Sequence, residues 1–221
     1  MGNVVMRYSS ITKKIVMGLA GLFLALFLLV HLSINLLLLA GDDGALYTVA
    51  VGFMSSNIAI KVFEVVLFGG FFVHILFGLI VTFKNWASRP VRYYMTNKSE
   101  TSLFSKYMFH TGIIIFVFLL LHFINFFFVK LGWVNPPAGV APHDFYTMSV
   151  LLFQNKIYSI IYIAFFIFLG FHLNHSIQSA FQTLGLNHNK YNTAVKILST
   201  VYSLIICIGF SIIPLYFIFF F

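Results

Sequence analysis

The chain has 221 residues, of which 61% are hydrophobic and only 8% charged, and its mean hydropathy is +0.99; a soluble domain is about 25% charged, so an integral membrane protein is expected. A net charge of +8 would suit nucleic acid in a soluble chain, but in a membrane protein the placement of the charges matters more than their sum, and no nucleic-acid partner is expected. The single cysteine, Cys207, lies in an apolar run, which excludes an intrachain disulfide and any cysteine-based metal or iron–sulfur site in this chain.

Five apolar stretches, near 15–40, 59–83, 104–129, 150–181 and 194–220, are each long enough to cross about 30 Å of hydrocarbon at 1.5 Å per residue. They predict one all-α domain over the whole chain, an integral membrane bundle of five transmembrane helices. The first stretch has no small-residue cleavage site behind a short apolar core and is expected to be retained as a span. It stops at "AGDDG", whose glycines and acids end a helix. The second runs into "KNWASRPVRYY", where Trp86, Tyr93 and Tyr94 suit an interface and Pro90 breaks the helix. The third ends at the loop "KLGWVNPPAG" and the fourth runs out through "LGLNHNKYN". The fifth carries Pro214 near its end, which a neighbouring helix can tolerate.

Basic residues set the expected orientation. Arg7, Lys13, Lys14, Lys84, Arg89, Arg92, Lys98, Lys106, Lys190 and Lys196 fall on one side of this topology, while Lys61, Lys130 and Lys156 share the other with Asp42, Asp43 and Asp144. The N-terminus is therefore expected in the cytoplasm and the C-terminus outside. The basic side faces anionic headgroups and is also a candidate docking face for a soluble partner.

Four of the five stretches hold a histidine well inside: His31, His74, His122, and His172 with His175. An imidazole in hydrocarbon needs a partner, at a cost of roughly several kcal/mol if it has none. Depth sorts them. His31 lies 17 residues after Lys14 and His122 lies 16 after Lys106, both roughly 25 Å from the basic side. His74 lies 10 residues before Lys84 and His172 lies 11 before Thr183, both roughly 15 Å from it. Two layers follow, His31 with His122 toward the outside and His74 with His172 toward the inside. Two histidines at one depth on facing helices suit a haem held between them, one imidazole on each face of the iron, filling both axial positions for electron transfer. Two b haems are expected. His175 is the alternative ligand on the fourth helix, but its depth matches His74 less well.

Small residues recur at matched offsets. Gly21 and Gly112 precede His31 and His122 by 10, and Gly78 and Ser176 follow His74 and His172 by four; such positions let backbones and a flat ring approach closely. Asn35 and Asn125 follow their histidines by about one turn, as propionate or quinone contacts or as interhelical hydrogen-bonding residues. His110, His143 and His188 are expected at interfaces or in water. Glu64 is the carboxylate nearest a span. Lys61, three residues earlier, predicts an i,i+3 ion pair, and the alternative makes Glu64 a proton acceptor at an outward quinol site.

With one ligand histidine on each of the first four of five helices, the chain resembles the dihaem cytochrome b subunit of succinate:quinone oxidoreductases and quinol:fumarate reductases. Thr111–Gly112 followed by His122 resembles that family's third helix, "HLNHSIQSAF" its fourth, which favours His172 over His175, and "SRPVRYY" its basic loop after the second. The resemblance covers nearly the whole chain. It implies pairing of the first helix with the third and the second with the fourth, and a place in the respiratory chain and tricarboxylic acid cycle as the anchor of a succinate dehydrogenase. A flavoprotein subunit carrying the dicarboxylate site and an iron–sulfur subunit would sit on the cytoplasmic face of a bacterial inner (plasma) membrane, with menaquinone as electron acceptor. A higher oligomer of the complex is compatible with it. Some relatives carry a carboxylate beside the fourth ligand as part of a proton path; here Gly170, Phe171, Leu173 and Asn174 flank His172 and none is acidic. The alternatives are the anchor of a quinol:fumarate reductase, the cytochrome b partner of a hydrogenase or formate dehydrogenase, a haem-free anchor, and a haem-free transporter or proton pathway with relay histidines.

Overall fold

The computed structural model describes residues 10–87, 107–186 and 188–220. Within them every regular element is a helix and there is no strand, the longest irregular stretch being 131–144. The order is α1 (Ser10–Asn35, prolonged by a 3₁₀ turn, Leu36–Leu39), α2 (Ala45–Ser56), α3 (Ile58–Ala87), α4 (Met108–His122), α5 (Phe145–Gln154), α6 (Lys156–Thr183) and α7 (Asn189–Phe220). A π turn, Phe123–Phe127, and a last α turn, Phe128–Lys130, continue α4. Five of these helices, α1, α3, α4, α6 and α7, are long and apolar enough to cross a membrane. The chain is thus a multi-pass membrane protein. The start of the third expected span, 104–106, and the loop motif at 88–94 lie outside the described residues.

The short helices α2 and α5 were not expected. The stretch anticipated as one helix over 150–181 is two, because Asn155 is extended (φ −74°, ψ 106°) and its side chain accepts from the amides of Ile157 and Tyr158. Asn57 makes the same joint between α2 and α3: it is extended, and its side-chain oxygen accepts from Ala59 at 2.9 Å. In both places a single asparagine ends one helix and caps the next, since its short amide satisfies amides that a new helix leaves bare. Asp42 and Asp144 do likewise for α2 and α5, accepting from Leu46 and Thr147. Asp42 and Asp144 are therefore helix caps. The α2 and α5 helices meet through Tyr47, whose buried phenol is pushed up to about 12 by desolvation, against which its hydrogen bond with Ser149 works.

The core lies between α1, α6 and α7, with α4 against α6 and α3 against α1. The tightest seam joins α6 to α7. A Cβ on Gly170 would lie 3.1 Å from the Cβ of Cys207, and Ser199 and Ser203, one turn apart on α7, are buried with their hydroxyls returned to the backbone of their own helix. Small side chains at such a seam let two helices gain dispersion contacts where burial from water supplies no drive. Tyr202 donates to the carbonyl of Ala25 and ties α7 to α1. Outward-facing residues such as Val65, Phe72 and Ile160 are largely exposed, as a lipid-facing surface requires.

Gly44 illustrates how the short helices are seated. It is left-handed (φ +81°), and a Cβ there would overlap the ring of Tyr146. Gly52, inside α2, has open space at its Cβ. Gly44→Ala should cost at least about 1–2 kcal/mol, whereas Gly52→Ala should be neutral or stabilise by up to about 1 kcal/mol. Thermal unfolding of the two variants in detergent, side by side, reads the difference.

Candidate functional site

The bundle brings together the two histidine pairs that share a depth. The His31 and His122 rings, on α1 and α4, lie 5.8 Å apart between centroids, with planes at 82°. Those of His74 and His172, on α3 and α6, lie 6.4 Å apart at 78°. His175, next to this second pair in sequence, has no ring contact with His74 among the described residues and is only half-buried. His110, His143 and His188 stay outside the pairs, each against a neighbouring aromatic ring: Tyr107, Phe145 and Tyr191 respectively.

The glycines serve a different layer from the one their spacing to histidine suggested. Ten residues turn a helix by about 1000°, so Gly21 and His31 lie on different faces of α1 and about 15 Å apart. Gly21 instead faces His74: a Cβ there would come within 3.1 Å of the His74 ring. Its lack of a side chain lets that ring lie across α1 and bring Nδ1 to 3.3 Å from the carbonyl of Met17. Gly112 likewise faces His172, but at 3.8 Å, an ordinary contact. A Cβ on Gly78 would meet nothing within 4 Å among the described residues. The second pair therefore sits against α1 and α4, whose own histidines form the first pair.

Hydrogen bonds distinguish the layers. A carbonyl only accepts, so at Met17 the His74 Nδ1 is the donor and carries the proton. On α4, Thr111 donates its single hydroxyl proton to the carbonyl of Met108 at 2.9 Å and lies 3.2 Å from His172 Nδ1. With its proton already committed, the hydroxyl accepts there, so His172 Nδ1 also carries the proton. In neutral imidazoles this leaves both Nε2 atoms as bare lone pairs, and neither has a hydrogen-bond partner among the described residues. Thr111 precedes His122 by 11 residues, about 1100° of rotation, and so lies three turns along the same face of α4. One helix face thereby serves both layers.

The first pair has no such acceptors among the described residues. His122 Nδ1 is buried with no partner among them. Asn35 spends its amide on the carbonyl of His31 at 2.7 Å, and only a long 3.4 Å contact reaches His31 Nδ1. Phe27 stacks on His31 at 5.3 Å, and Phe210, Phe118 and Phe126 close around the pair. The π turn begins at the residue after His122, in keeping with the use of such bulges at functional sites. Within it Asn125 donates to the hydroxyl of buried Tyr162 at 2.8 Å, as an interhelical tie.

Glu64 does not pair with Lys61. Both its oxygens bond Lys130 Nζ, at 2.9 and 3.1 Å, joining α3 to the end of α4. The cross-helix partner wins because Lys130, on the turn after the π segment, reaches the same end of the bundle. Sequence spacing shows only partners on the same helix. Both side chains are about one-third exposed, which limits the pair to about 1 kcal/mol.

No protein-family model, no curated protein and no solved structure matches the chain.

Two predictions follow from the packing. Gly21→Ala should displace His74 from the Met17 carbonyl, whereas Gly112→Ala should leave His172 in place; histidine-selective ¹⁵N NMR of each variant reads the Nδ1 environment. In double-mutant cycles of thermal stability, Glu64→Gln should couple to Lys130→Gln by up to about 1 kcal/mol and to Lys61→Gln by nothing measurable.

Proposed function

We propose that the chain is the cytochrome b membrane anchor of a succinate dehydrogenase, a succinate:menaquinone oxidoreductase, and holds two b haems. The observation that carries this reading is the arrangement of the histidines as two facing pairs in two layers, one histidine from each of four membrane-length helices. The layers lie about 15 Å apart, as the rise from Gly21 to His31 measures.

The residues present fit the group. Among the described residues, no three His, Cys, Asp or Glu side chains gather at one point, so a site that takes three or four protein ligands is not formed there. A haem takes two, because its macrocycle supplies the rest. Imidazoles gripping one metal from opposite sides at about 2 Å per nitrogen hold their centroids roughly 6 Å apart, beside the 5.8 and 6.4 Å found here. Two rings in edge contact also reach that separation, so the hydrogen bonds weigh more. The second pair has bare Nε2 atoms, and in the first His122 Nδ1 is buried with no partner among the described residues. His31 and His122 would hold one haem and His74 and His172 the other.

When bound, the haems supply one-electron carriage from a partner's iron–sulfur clusters to quinone. The chain positions them: Met17 and Thr111 fix the second pair, and the phenylalanines around the first exclude water. Dicarboxylate chemistry belongs to a flavoprotein partner, which with an iron–sulfur subunit would dock at the basic end, where Lys13 and Lys84 come together. That end would be cytoplasmic, in a bacterial inner membrane, with menaquinone reacting toward the opposite one. For Glu64 to accept a proton there, it would have to leave Lys130.

His31→Ala and His122→Ala should each remove the same one of two haems, His74→Ala and His172→Ala the other, and His175→Ala neither. Redox-resolved optical spectra of the variants, purified with their accompanying subunits, separate the two haems. Loss of the same haem from His31→Ala and His74→Ala would contradict the pairing.

A further inference from the structure

From the Thr111 hydroxyl between Met108 and His172, we infer that Thr111 is a positioning residue that sets the electron affinity of the second site and leaves the first unaffected. The inference rests on the two-haem reading. The hydroxyl bridges the backbone carbonyl of Met108, to which it donates at 2.9 Å, and the Nδ1 of His172 at 3.2 Å. The first bond uses its only proton, so the second holds the imidazole as the Nδ1–H tautomer with Nε2 free. An imidazole whose far N–H is held by an oxygen is a more basic ligand through its other nitrogen. More basic axial ligands favour the oxidised iron and lower the reduction potential.

The contrast between the layers makes this specific. In the second pair both Nδ1 atoms donate, to Met17 and Thr111. In the first, His122 Nδ1 meets no acceptor among the described residues, and His31 Nδ1 lies 3.4 Å from the Asn35 amide nitrogen, itself a donor. Of the two acceptors in the second pair, Met17 offers its backbone and no side-chain substitution deletes it. Thr111 can be deleted. It is part-buried on α4 and makes no other side-chain hydrogen bond among the described residues.

The test uses the wild-type protein, Thr111→Val and Thr111→Ser, each purified from membranes with its accompanying subunits. Potentiometric titration of the optical spectrum and low-temperature EPR follow each haem. Thr111→Val keeps the shape and loses the hydroxyl, and should shift one haem's midpoint potential upward while the other stays at its wild-type value. The haem that moves should be the one lost in His172→Ala. Thr111→Ser keeps the hydroxyl and should retain both wild-type potentials. Loss of that haem in Thr111→Val while Thr111→Ser keeps it would show the hydroxyl holding the haem rather than setting its potential, and would overturn the inference. Two haems with unmoved potentials in Thr111→Val would overturn it and leave the two-haem reading intact. So would equal shifts or equal losses in Thr111→Val and Thr111→Ser. A wild-type protein that binds no haem would overturn the reading and this inference together.

Discussion

Hydrocarbon offers no hydrogen bonds, so every polar group placed in it must find a partner inside the bundle. That constraint organises the molecule. Backbone groups are met by helices, and the joints between helices by Asn57, Asn155, Asp42 and Asp144. Serines return their hydroxyls to their own helix. Asn125 meets Tyr162, and Glu64 meets Lys130. Besides Ser211 Oγ, buried with no partner among the described residues, four imidazoles stand apart. Their rings meet in pairs, yet their Nε2 atoms find no partner among the described residues. A residue that is costly to place in a membrane and left incomplete there points to function, and two bound haems would engage all four Nε2 atoms.

The layering follows from helix direction. The helices α1 and α4 run one way and α3 and α6 the other, so a ligand on each need only sit at the right count from its helix end. The same geometry makes α1 and α4 each serve both layers. On α1, His31 faces the first pair while Met17 and Gly21 support the second. On α4, His122 and Thr111 divide the work in the same way. The two proposed haem sites are thus linked through shared helices, but the local chemistry of each is separately adjustable.

Much of this was legible in the sequence. Span number, direction and histidine depth come from counting residues at 1.5 Å each, and the rings meet where depth had placed them. Contacts between helices were less accessible. Gly21 looked like a companion of His31 because spacing along one helix is visible; its packing against His74 depends on which face α1 turns to α3. Lys61 looked like the partner of Glu64 for the same reason, and Lys130, 66 residues away, had no visible claim. The joint at Asn155 lies in a three-residue polar break, Gln154, Asn155 and Lys156, flanked on both sides by apolar residues, so that a single span over 150–181 runs straight through it. The π turn after His122 leaves no compositional mark in a run of phenylalanines. Thr111 was noticed beside Gly112 for its resemblance to a family motif, but its acceptor role follows only from finding its proton already committed to Met108.

The decisive measurement is haem content. The chain should be purified from its native membranes with whatever accompanies it, and haem per polypeptide measured by pyridine haemochrome and by reduced-minus-oxidised spectra. Two b-type haems per chain, both reducible by succinate, are the result expected of a dihaem anchor. A preparation shown to retain its cofactors, yet holding no haem, would contradict it and bring forward the reading of the four histidines as a proton pathway.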